Sequence, residues 1–495
     1  MMKYIVALDQ GTTSSRAVMF DENGYLVANH GIEFEQWFPQ PGWVEHNPDD
    51  ILRTQIEALK RTVDKSGVAP KDIAAIGITN QRETTLIWDR RTGKPVYNAI
   101  VWQCRRTAPL VERLKLDGLG NVLRARTGLI PDAYFSGTKV QWLLENIPGV
   151  RERAEAGELC FGTVDSFLAW NLTREHAHVT DVSNASRTML YNIHDRCWDE
   201  LLLRAMNVPA QMMPKVVDSS GVIGTLRKDI LGVEIPIAAM AGDQHAALFG
   251  QGCVRPGMAK NTYGTGCFLL MNTGSHPIHS QNDMVTTIAW QLDGKPTYAL
   301  EGSIFVAGAA IQWLRDEMGL IKTSAESEHV AMTVPNNGNV YMVPSFTGLG
   351  APHWDMYSRG TIVGLTRGTG RAHIVRAALE SIAYQTADVL SAMSRDSGMR
   401  PEVLRVDGGA SANNFLMQFQ ADILNMRVWR PGVIETTAMG AAMLAGRAVG
   451  LWDDKRIGEV WKLSQEFKPA MDEGERILLG QWDRAVERSL GWAKE

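Results

Sequence analysis

A short polar turn near the start of the chain carries the first residues that could perform chemistry. Residues 3–8 and 16–20 are apolar runs, and the turn between them contains an acid, a glycine and four hydroxyl side chains. A strand, a small glycine-containing turn and a second strand are typical of a β-hairpin. The pattern therefore predicts a hairpin whose turn is rich in hydrogen-bonding groups.

The residues of this turn suit a polyphosphate. Gly11 lets the backbone approach phosphate oxygens closely. The backbone N–H groups and the hydroxyls of Thr12, Thr13 and Ser14 can donate to those oxygens. Asp9, at the end of the strand, is placed to hold Mg²⁺ directly or through water. The same residue types also make ordinary solvated turns, so the hairpin alone leaves both interpretations open.

Asp243 is the sharpest single candidate for catalysis. It follows an apolar run at residues 235–241 and lies between Gly242 and Gln244. Phosphoryl transfer needs positioning, charge neutralisation and one carboxylate that accepts the proton of the acceptor hydroxyl. The alternative is an aspartate that caps the helix predicted to follow.

A second strand–turn–strand pattern covers residues 259–271, again with Gly-Thr at its turn, here Gly264 and Thr265. The faint repeat predicts a second domain of the same fold. We place the two domains at residues 1–251 and 252–495. The two hairpins are expected to face each other across a cleft and to hold a polyphosphate from both sides.

A third candidate phosphate or ring site is the segment Asp407-Gly408-Gly409. It follows an apolar strand and precedes a helix for which Asn413 is the predicted N-cap. Its glycines permit close approach of a ligand, and the helix N-terminus favours anions. The sequence contains no GxxxxGK[ST] loop, and no GxGxxG follows a strand, which disfavours P-loop and Rossmann sites.

Residues that suit a polyol lie after the strand predicted at residues 73–78. Arg82 and Glu83 are at its carboxyl end, where ligands of α/β sheets bind. The pair offers donors and acceptors in alternation, although a surface salt bridge of little consequence is the alternative. Trp102, Tyr134 and Phe268 are core aromatics by default, but such rings also pack against the carbons of a polyol.

The elements that must position these residues form a mixed α/β protein. Helical spacing predicts helices over residues 49–63, 165–172, 303–318 and 373–394, and residues 181–188 are expected to be a polar loop. Residues 437–449 are rich in alanine and glycine, which suits close helix packing. From Met471 onward the tail is amphipathic and predicts a covering helix.

Composition narrows the functional class. The 495 residues are 45% hydrophobic and 21% charged, with a net charge of −5, which argues against a nucleic-acid or anionic-membrane surface. The five cysteines are scattered, so neither a disulfide framework nor a zinc site is expected. A strand that begins by residue 4 leaves no room for a signal peptide, and no apolar run is long enough to span a bilayer. A cytoplasmic location is the expectation.

Several segments together resemble the FGGY carbohydrate kinase family, and the similarity covers nearly the whole chain. Residues 9–16 resemble its phosphate hairpin, and residues 134–146 and 360–380 resemble its two signatures. Within that family, three further segments resemble the kinases that act on glycerol: 80–84, 101–106 and 184–189.

The resemblance implies two ribonuclease H-like domains of the actin and hexokinase class, with ATP and Mg²⁺ bound in the cleft between them. It implies transfer of phosphate from ATP to glycerol, giving ADP and sn-glycerol 3-phosphate, with Asp243 as the general base. The glycerol-binding residues it implies are Arg82, Glu83, Trp102, Tyr134, Asp243, Gln244 and Phe268. The nucleotide-binding residues it implies are Thr12, Thr13, Ser14, Arg16, Thr265, Gly308, Gln312, Gly409 and Asn413. The residues implied for Mg²⁺ are Asp9 and Asp243.

The resemblance also bears on regulation and assembly. It implies a homo-oligomer, either a dimer or a tetramer. The segment matching a fructose 1,6-bisphosphate loop, residues 226–236, has only Gly232 and places Glu234 near an expected arginine, so that inhibition is not expected. No histidine occurs at residues 219–236, where some relatives are phosphorylated, and residues 469–480 match a regulator site only loosely.

Two alternatives remain open from the sequence. One is a family member that phosphorylates a pentulose or a longer polyol. The other is an actin- or chaperone-like ATPase whose nucleotide state moves a protein partner.

Overall fold

The structure is a computed structural model that describes residues 2–471 and 477–494. A central mixed sheet organises the first half of the chain. Among these residues, the sheet has six strands. In spatial order they are Ser220–Thr225, Pro236–Gly242, Ile73–Asn80, Tyr4–Gln10, Ser14–Asp21 and Leu26–Glu33. The first strand of the predicted hairpin, Tyr4–Gln10, therefore lies in the middle of this sheet.

The strand directions bring the turns that carry candidate binding and catalytic residues to the same end of this sheet, at the carboxyl ends of its parallel strands. Tyr4–Gln10 runs parallel to Ile73–Asn80, and the latter runs parallel to Pro236–Gly242. Their last residues pair in register, Gln10 with Asn80 and Asn80 with Gly242. The turn predicted to bind phosphate (residues 9–15, the first phosphate turn) therefore emerges beside Arg82 and Asp243.

The second half contains a seven-stranded sheet within the described residues. In spatial order its strands are Val285–Leu292, Lys295–Ile304, Cys267–Gly274, Ala259–Tyr263, Val403–Asp407, Arg427–Pro431 and Leu463–Phe467. The hairpin strands Ala259–Tyr263 and Cys267–Gly274 are antiparallel, and Ala259–Tyr263 is parallel to Val403–Asp407. Three antiparallel strands followed by two parallel ones occur in the same spatial order in both sheets. The expected two-domain α/β architecture is confirmed, while the boundary after residue 251 stays a prediction.

Helices surround both sheets. Those of the first half are Pro48–Ser66, Ala108–Leu116, Leu119–Thr127, Ser136–Asn146, Val150–Glu155, Val164–Leu172, Val182–Ala185, Glu200–Ala205, Lys228–Leu231 and Asp243–Gly250. Those of the second half are Gly308–Asp316, Glu326–Met332, Arg371–Ser397, Asn414–Leu424, Thr436–Ala448, Asp454–Val460 and Ile477–Ser489. The covering helix predicted from Met471 onward falls partly outside the described residues.

Smaller sheets complete the fold. A four-stranded sheet has the order Glu45–His46, Ala99–Ile100, Thr85–Asp89 and Leu159–Thr163. The described two-stranded pairs are Tyr191–Asn192 with Cys197–Trp198, Val179–Asp181 with Lys215–Val217, and Tyr341–Val343 with Thr361–Val363. In the parts of the chain described here, no helix is both long and apolar enough to cross a membrane.

Two short helices join the halves. Asp243–Gly250 crosses Thr436–Ala448, and the latter packs against the first sheet although it comes from the second half of the chain. A Cβ on Gly440 would lie 1.8 Å from the Ala246 carbonyl oxygen, and one on Gly250 would lie 2.0 Å from the Thr436 carbonyl oxygen. Glycine therefore permits the close crossing that the composition of residues 437–449 predicted.

Two predicted elements are wrong. Residues 301–304 belong to the strand Lys295–Ile304, and the helix begins only at Gly308, so the predicted helix over 303–318 started too early. Residues 181–188 are buried and contain the helix Val182–Ala185, capped by the Asp181 side chain. Polar composition indicated a solvated loop there, but most of these polar groups form hydrogen bonds with one another or with neighbouring strands.

Candidate active site

Asp243 begins the helix that follows the strand Pro236–Gly242. Gly242 occupies the N-cap position, so the alternative that Asp243 is the cap residue does not hold. The Gly242 N–H donates to Ser183 Oγ at 2.9 Å, which fixes the backbone just before the carboxylate. The Asp243 side chain is 30% exposed and is thus accessible to a ligand.

Arg82 connects the catalytic candidate to a buried acid. Its Nε lies 3.2 Å from Asp243 Oδ1. Its Nη1 and Nη2 donate to the two carboxylate oxygens of Glu301 at 2.6 and 2.9 Å. Although burial alone raises the pKa of Glu301, Arg187 and Arg82 together hold it well below its usual range. Arg82 is 2% exposed, so the surface salt-bridge interpretation of Arg82 and Glu83 is wrong.

Glu83 is oriented by an arginine that the sequence analysis did not select. Arg187 Nε donates to Glu83 Oε1 at 2.6 Å, and Arg187 Nη2 donates to Glu301 Oε1 at 3.1 Å. Burial raises the pKa of Glu83, and the two neighbouring arginines oppose that rise. Glu83 has a positive φ of 60°, which turns the chain sharply after Arg82.

Three aromatic rings from separate segments meet beside these charges. The Trp102 ring is edge-on to Tyr134, with centroids 5.6 Å apart, and edge-on to Phe268 at 6.4 Å. Phe268 lies on a strand of the second sheet, so both halves of the chain contribute to this aromatic wall. The strand Ala99–Ile100 ends two residues before Trp102, which lies on a turn. Its indole Nε1 donates to Thr12 Oγ1 at 3.0 Å.

Gln244 is held by a lysine from the second half. Lys260 Nζ donates to Gln244 Oε1 at 2.6 Å and to Thr262 Oγ1 at 2.8 Å. Burial lowers the pKa of Lys260, and Asp407 and Asp243 oppose the decrease. The carboxamide of Gln244 is therefore oriented by a buried donor.

The first phosphate turn is compact. The Gly11 N–H donates to the Ser14 carbonyl at 2.9 Å, and Thr13 is exposed. Arg16 lies on the second strand of this hairpin, and its guanidinium forms a 2.6 Å ion pair with Glu435 from the second half. Arg16 is predicted to contact phosphate, and its guanidinium already links the two halves of the chain.

The second turn is built against two other predicted nucleotide segments. Gly308 N donates to the Gly264 carbonyl at 3.0 Å, and a Cβ on Gly308 would lie 2.5 Å from that oxygen. Gly408 has φ 83°, and a Cβ there would lie 2.5 Å from the Tyr263 carbonyl oxygen. The Gly264-Thr265 turn, the helix start at Gly308 and the glycine pair after residue 407 consequently form one surface.

The remaining nucleotide candidates border this surface. A Cβ on Gly409 would meet no atom within 4 Å, so this position faces open space. Asn413 Oδ1 accepts from the Leu416 N–H at 2.9 Å, which confirms its predicted role as N-cap. Gln312 and Thr265 are exposed. Gly409, Gln312 and Thr265 are therefore accessible to a ligand.

Asp9 and Asp243 offer a donor set that fits Mg²⁺. Burial raises the pKa of Asp9 to about 7, Arg16 opposes this, and the nearby carboxylates of Asp243 and Glu435 add to it. A divalent cation would relieve that repulsion. The described residues contain no group of three or more His, Cys, Asp or Glu at metal-binding spacing. Two carboxylates fit Mg²⁺, which commonly takes one or two carboxylates together with substrate phosphates and water.

Glu301, Arg187 and Lys260 are the site residues that sequence reasoning missed. Arg187 falls in a segment already noted for its resemblance to glycerol-specific kinases, so that signal was available. Glu301 and Lys260 lie on strands of the second sheet with no local motif to distinguish them. Their importance comes from contacts with residues far away in the sequence.

Two domains of similar sheet order, each with a glycine-threonine turn, and a strand-end carboxylate beside Arg82 are the features of a two-domain phosphotransferase. Comparison with known proteins supports this class. The model of the FGGY family of carbohydrate kinases matches the chain with its N-terminal domain over residues 4–250 and its C-terminal domain over residues 259–449. The chain belongs to the FGGY family of carbohydrate kinases, and its fold is of the actin and hexokinase type.

Individual relatives agree with this family. The chain is 61% identical to glycerol kinase 2 of Thermotoga maritima, covering 100% of both proteins. It resembles the crystal structure of Plasmodium falciparum glycerol kinase with ADP at a TM-score of 0.93 and 37% identity, covering 99% of this chain and 98% of that one. A xylulose kinase from Lactobacillus acidophilus has the same fold, with a TM-score of 0.87 at 23% identity, covering 98% of this chain and 97% of that one.

Proposed function

We infer that this protein transfers the terminal phosphate of ATP to glycerol, forming ADP and sn-glycerol 3-phosphate. The observation that carries the inference is the position of the Asp243 carboxylate. It lies at the end of the first sheet, 3.2 Å from Arg82 Nε, and Trp102 and Phe268 form an aromatic wall to which both halves of the chain contribute. The site thus combines charged groups around one partly exposed carboxylate with an apolar wall.

We propose that the acceptor binds between these walls. Arg82 and Gln244 offer donors, Glu83 offers an acceptor, and Trp102 and Phe268 cover the carbon atoms. Tyr134 completes the pocket, and burial raises the pKa of its hydroxyl above the usual value, which keeps it a neutral donor. A small polyol has the alternation of carbon and hydroxyl that such a pocket recognises.

In the proposed reaction, Asp243 accepts the proton of the hydroxyl that attacks the terminal phosphorus. Thr12, Thr13, Ser14 and Thr265 would donate to the phosphate oxygens from the two facing turns. Gly308, Gln312, Gly409 and Asn413 would surround the rest of the nucleotide. Asp9 and Asp243 would hold Mg²⁺, whose positive charge would neutralise charge on the phosphates.

Release of ADP from Mg-ATP with different acceptors tests this function. We expect strong stimulation by glycerol and little by xylulose, ribulose or erythritol. Stimulation by a pentulose instead would retain the kinase class and contradict the proposed roles of Arg82 and Trp102. Hydrolysis independent of every acceptor would support the ATPase-switch alternative. The homo-oligomeric state and cytoplasmic location predicted from the sequence stay predictions.

A further inference from the structure

A chain of four buried charges lies behind the proposed glycerol pocket. Its members are Glu83, Arg187, Glu301 and Arg82, and none is more than 2% exposed. Arg187 links the two glutamates at 2.6 and 3.1 Å, and Arg82 grips Glu301 with two hydrogen bonds. Positive and negative groups therefore alternate from Glu83 through to Arg82.

Glu301 is the member contributed by the second half of the chain. It lies on the strand Lys295–Ile304 and pairs with Leu270 in the neighbouring strand. Leu270 and Ala299 belong to a buried cluster that also contains Ile5 and Ala7 of the first sheet. Glu301 thus extends from the face of the second sheet that packs on the first domain.

The Glu301 carboxylate determines how the Arg82 guanidinium is oriented. A guanidinium that makes two parallel hydrogen bonds to one carboxylate is fixed in plane and direction. With both Nη atoms directed to Glu301, the Nε atom lies 3.2 Å from Asp243 Oδ1. Each Nη atom keeps one more N–H for other partners.

Fold stability alone is a weak reason for such a cluster. Burying charged groups costs desolvation free energy, and the attraction within an ion pair often does no more than offset that cost. Replacing a buried ion pair with apolar residues is therefore frequently neutral or stabilising. Arg82 and Glu83, by contrast, are the groups proposed to bind the hydroxyls of the substrate. The orientation of both depends on Glu301, directly for Arg82 and through Arg187 for Glu83.

We propose that Glu301 is a positioning residue that orients glycerol in the active site. It acts through Arg82 and Arg187, so that one hydroxyl of the substrate is presented to Asp243. This inference rests on the proposed glycerol kinase function and adds a residue to its acceptor site. It also means that the acceptor site is complete only when the second sheet is in contact with the first domain.

Steady-state kinetics of Glu301→Gln in the full-length protein test the proposal. Glutamine has the same shape but only one acceptor oxygen, and its amide N–H groups oppose those of the arginines. We expect the KM for glycerol to rise about tenfold or more, with the KM for ATP within about twofold of wild type. Because the substrate is no longer held in one orientation, the sn-1 isomer should appear among the products.

Two further variants separate orientation from folding. Glu301→Asp keeps the charge but is one methylene shorter, and we expect an intermediate KM for glycerol. The control Asp283→Asn removes a partly exposed 2.8 Å ion pair with Arg124 that also joins the two halves. This variant should leave the glycerol KM unchanged. If Glu301→Gln does not fold, the glycerol KM of Glu301→Asp is compared with that of this control instead.

The outcomes are distinguishable. A merely structural role lowers the amount of active enzyme, and so the maximal rate, without altering the glycerol KM or the product isomer. Unchanged KM and product in folded Glu301→Gln, or in Glu301→Asp if the first variant is unfolded, would overturn the proposal. Wild-type enzyme that does not phosphorylate glycerol would instead refute the function on which the proposal rests.

Discussion

The indole nitrogen of Trp102 donates a 3.0 Å hydrogen bond to the hydroxyl of Thr12. Trp102 belongs to the proposed glycerol pocket, whereas Thr12 belongs to the first phosphate turn. The acceptor wall and the phosphate-binding turn are therefore in direct contact. A change at either residue should affect the binding of both substrates.

A double-mutant cycle tests this contact. Trp102→Phe keeps an aromatic ring but lacks the N–H, and Thr12→Val keeps the shape of threonine but lacks the hydroxyl. We expect their effects on kcat/KM for glycerol to be non-additive by about 0.5–1.5 kcal/mol, the range of one hydrogen bond. Additive effects would show that the two residues act separately.

Replacement of Asp243 by asparagine should remove the proposed general base. We expect kcat to fall by about 10²–10⁴-fold, the usual contribution of a positioned acid or base. Thermal unfolding should still be cooperative, because the carboxylate is partly exposed and Gly242, not Asp243, caps the helix. Near-normal turnover in the folded variant would refute the assignment.

The close crossing of the two joining helices predicts a strong effect at Gly440. In Gly440→Ala, the new Cβ would lie 1.8 Å from the Ala246 carbonyl oxygen, so the backbones must separate. We expect a loss of about 1–3 kcal/mol in the free energy of unfolding, measured by denaturant titration. The matched control is Gly458→Ala, in the helix Asp454–Val460, where a Cβ meets no atom within 4 Å. There the higher helix propensity of alanine should stabilise the protein by about 0.5–1 kcal/mol. Equal effects at both sites would contradict the packing argument.

The buried side chain of Lys139 should make the free energy of unfolding depend on pH. Its Nζ donates to the carbonyls of Tyr134 and Phe135, and burial lowers its pKa to about 7. Between pH 7 and the ordinary lysine pKa near 10.4, the unfolded chain binds a proton that the folded protein does not, so this group makes stability rise with pH. Relative to Lys139→Met, the wild type should gain about 2 kcal/mol in the free energy of unfolding from pH 7.5 to 9.5. A constant difference across that range would show that Lys139 stays protonated in the fold.

Fructose 1,6-bisphosphate should leave the activity unchanged. Glu234 lies in the segment that corresponds to the expected effector loop, and it pairs with Arg174 at 3.0 Å. An acid at this position repels phosphate. Initial rates across a millimolar range of the effector, with ADP inhibition as the positive control, check the expectation. Dose-dependent inhibition would contradict it.

Much of the local structure follows from the sequence. The first helix begins at Pro48, with Asn47 accepting from the Asp49 N–H, because proline and a capping residue specify a helix start locally. Both hairpins formed where small polar turns separate apolar runs. The identity of Asp243 as a strand-end carboxylate was likewise readable, because the apolar run before it is continuous.

Tertiary structure decided which distant residues meet. Glu301 lies 219 positions from Arg82, and its ion pairs depend on the packing of two sheets, which no local pattern specifies. The burial of residues 181–188 was missed for the same reason, since their hydrogen-bond partners belong to other segments. The sequence by itself determined most of the elements, the two hairpin turns and the family. Only the fold decided how the charges behind the acceptor pocket are paired, because pairing depends on distances between segments far apart in the chain.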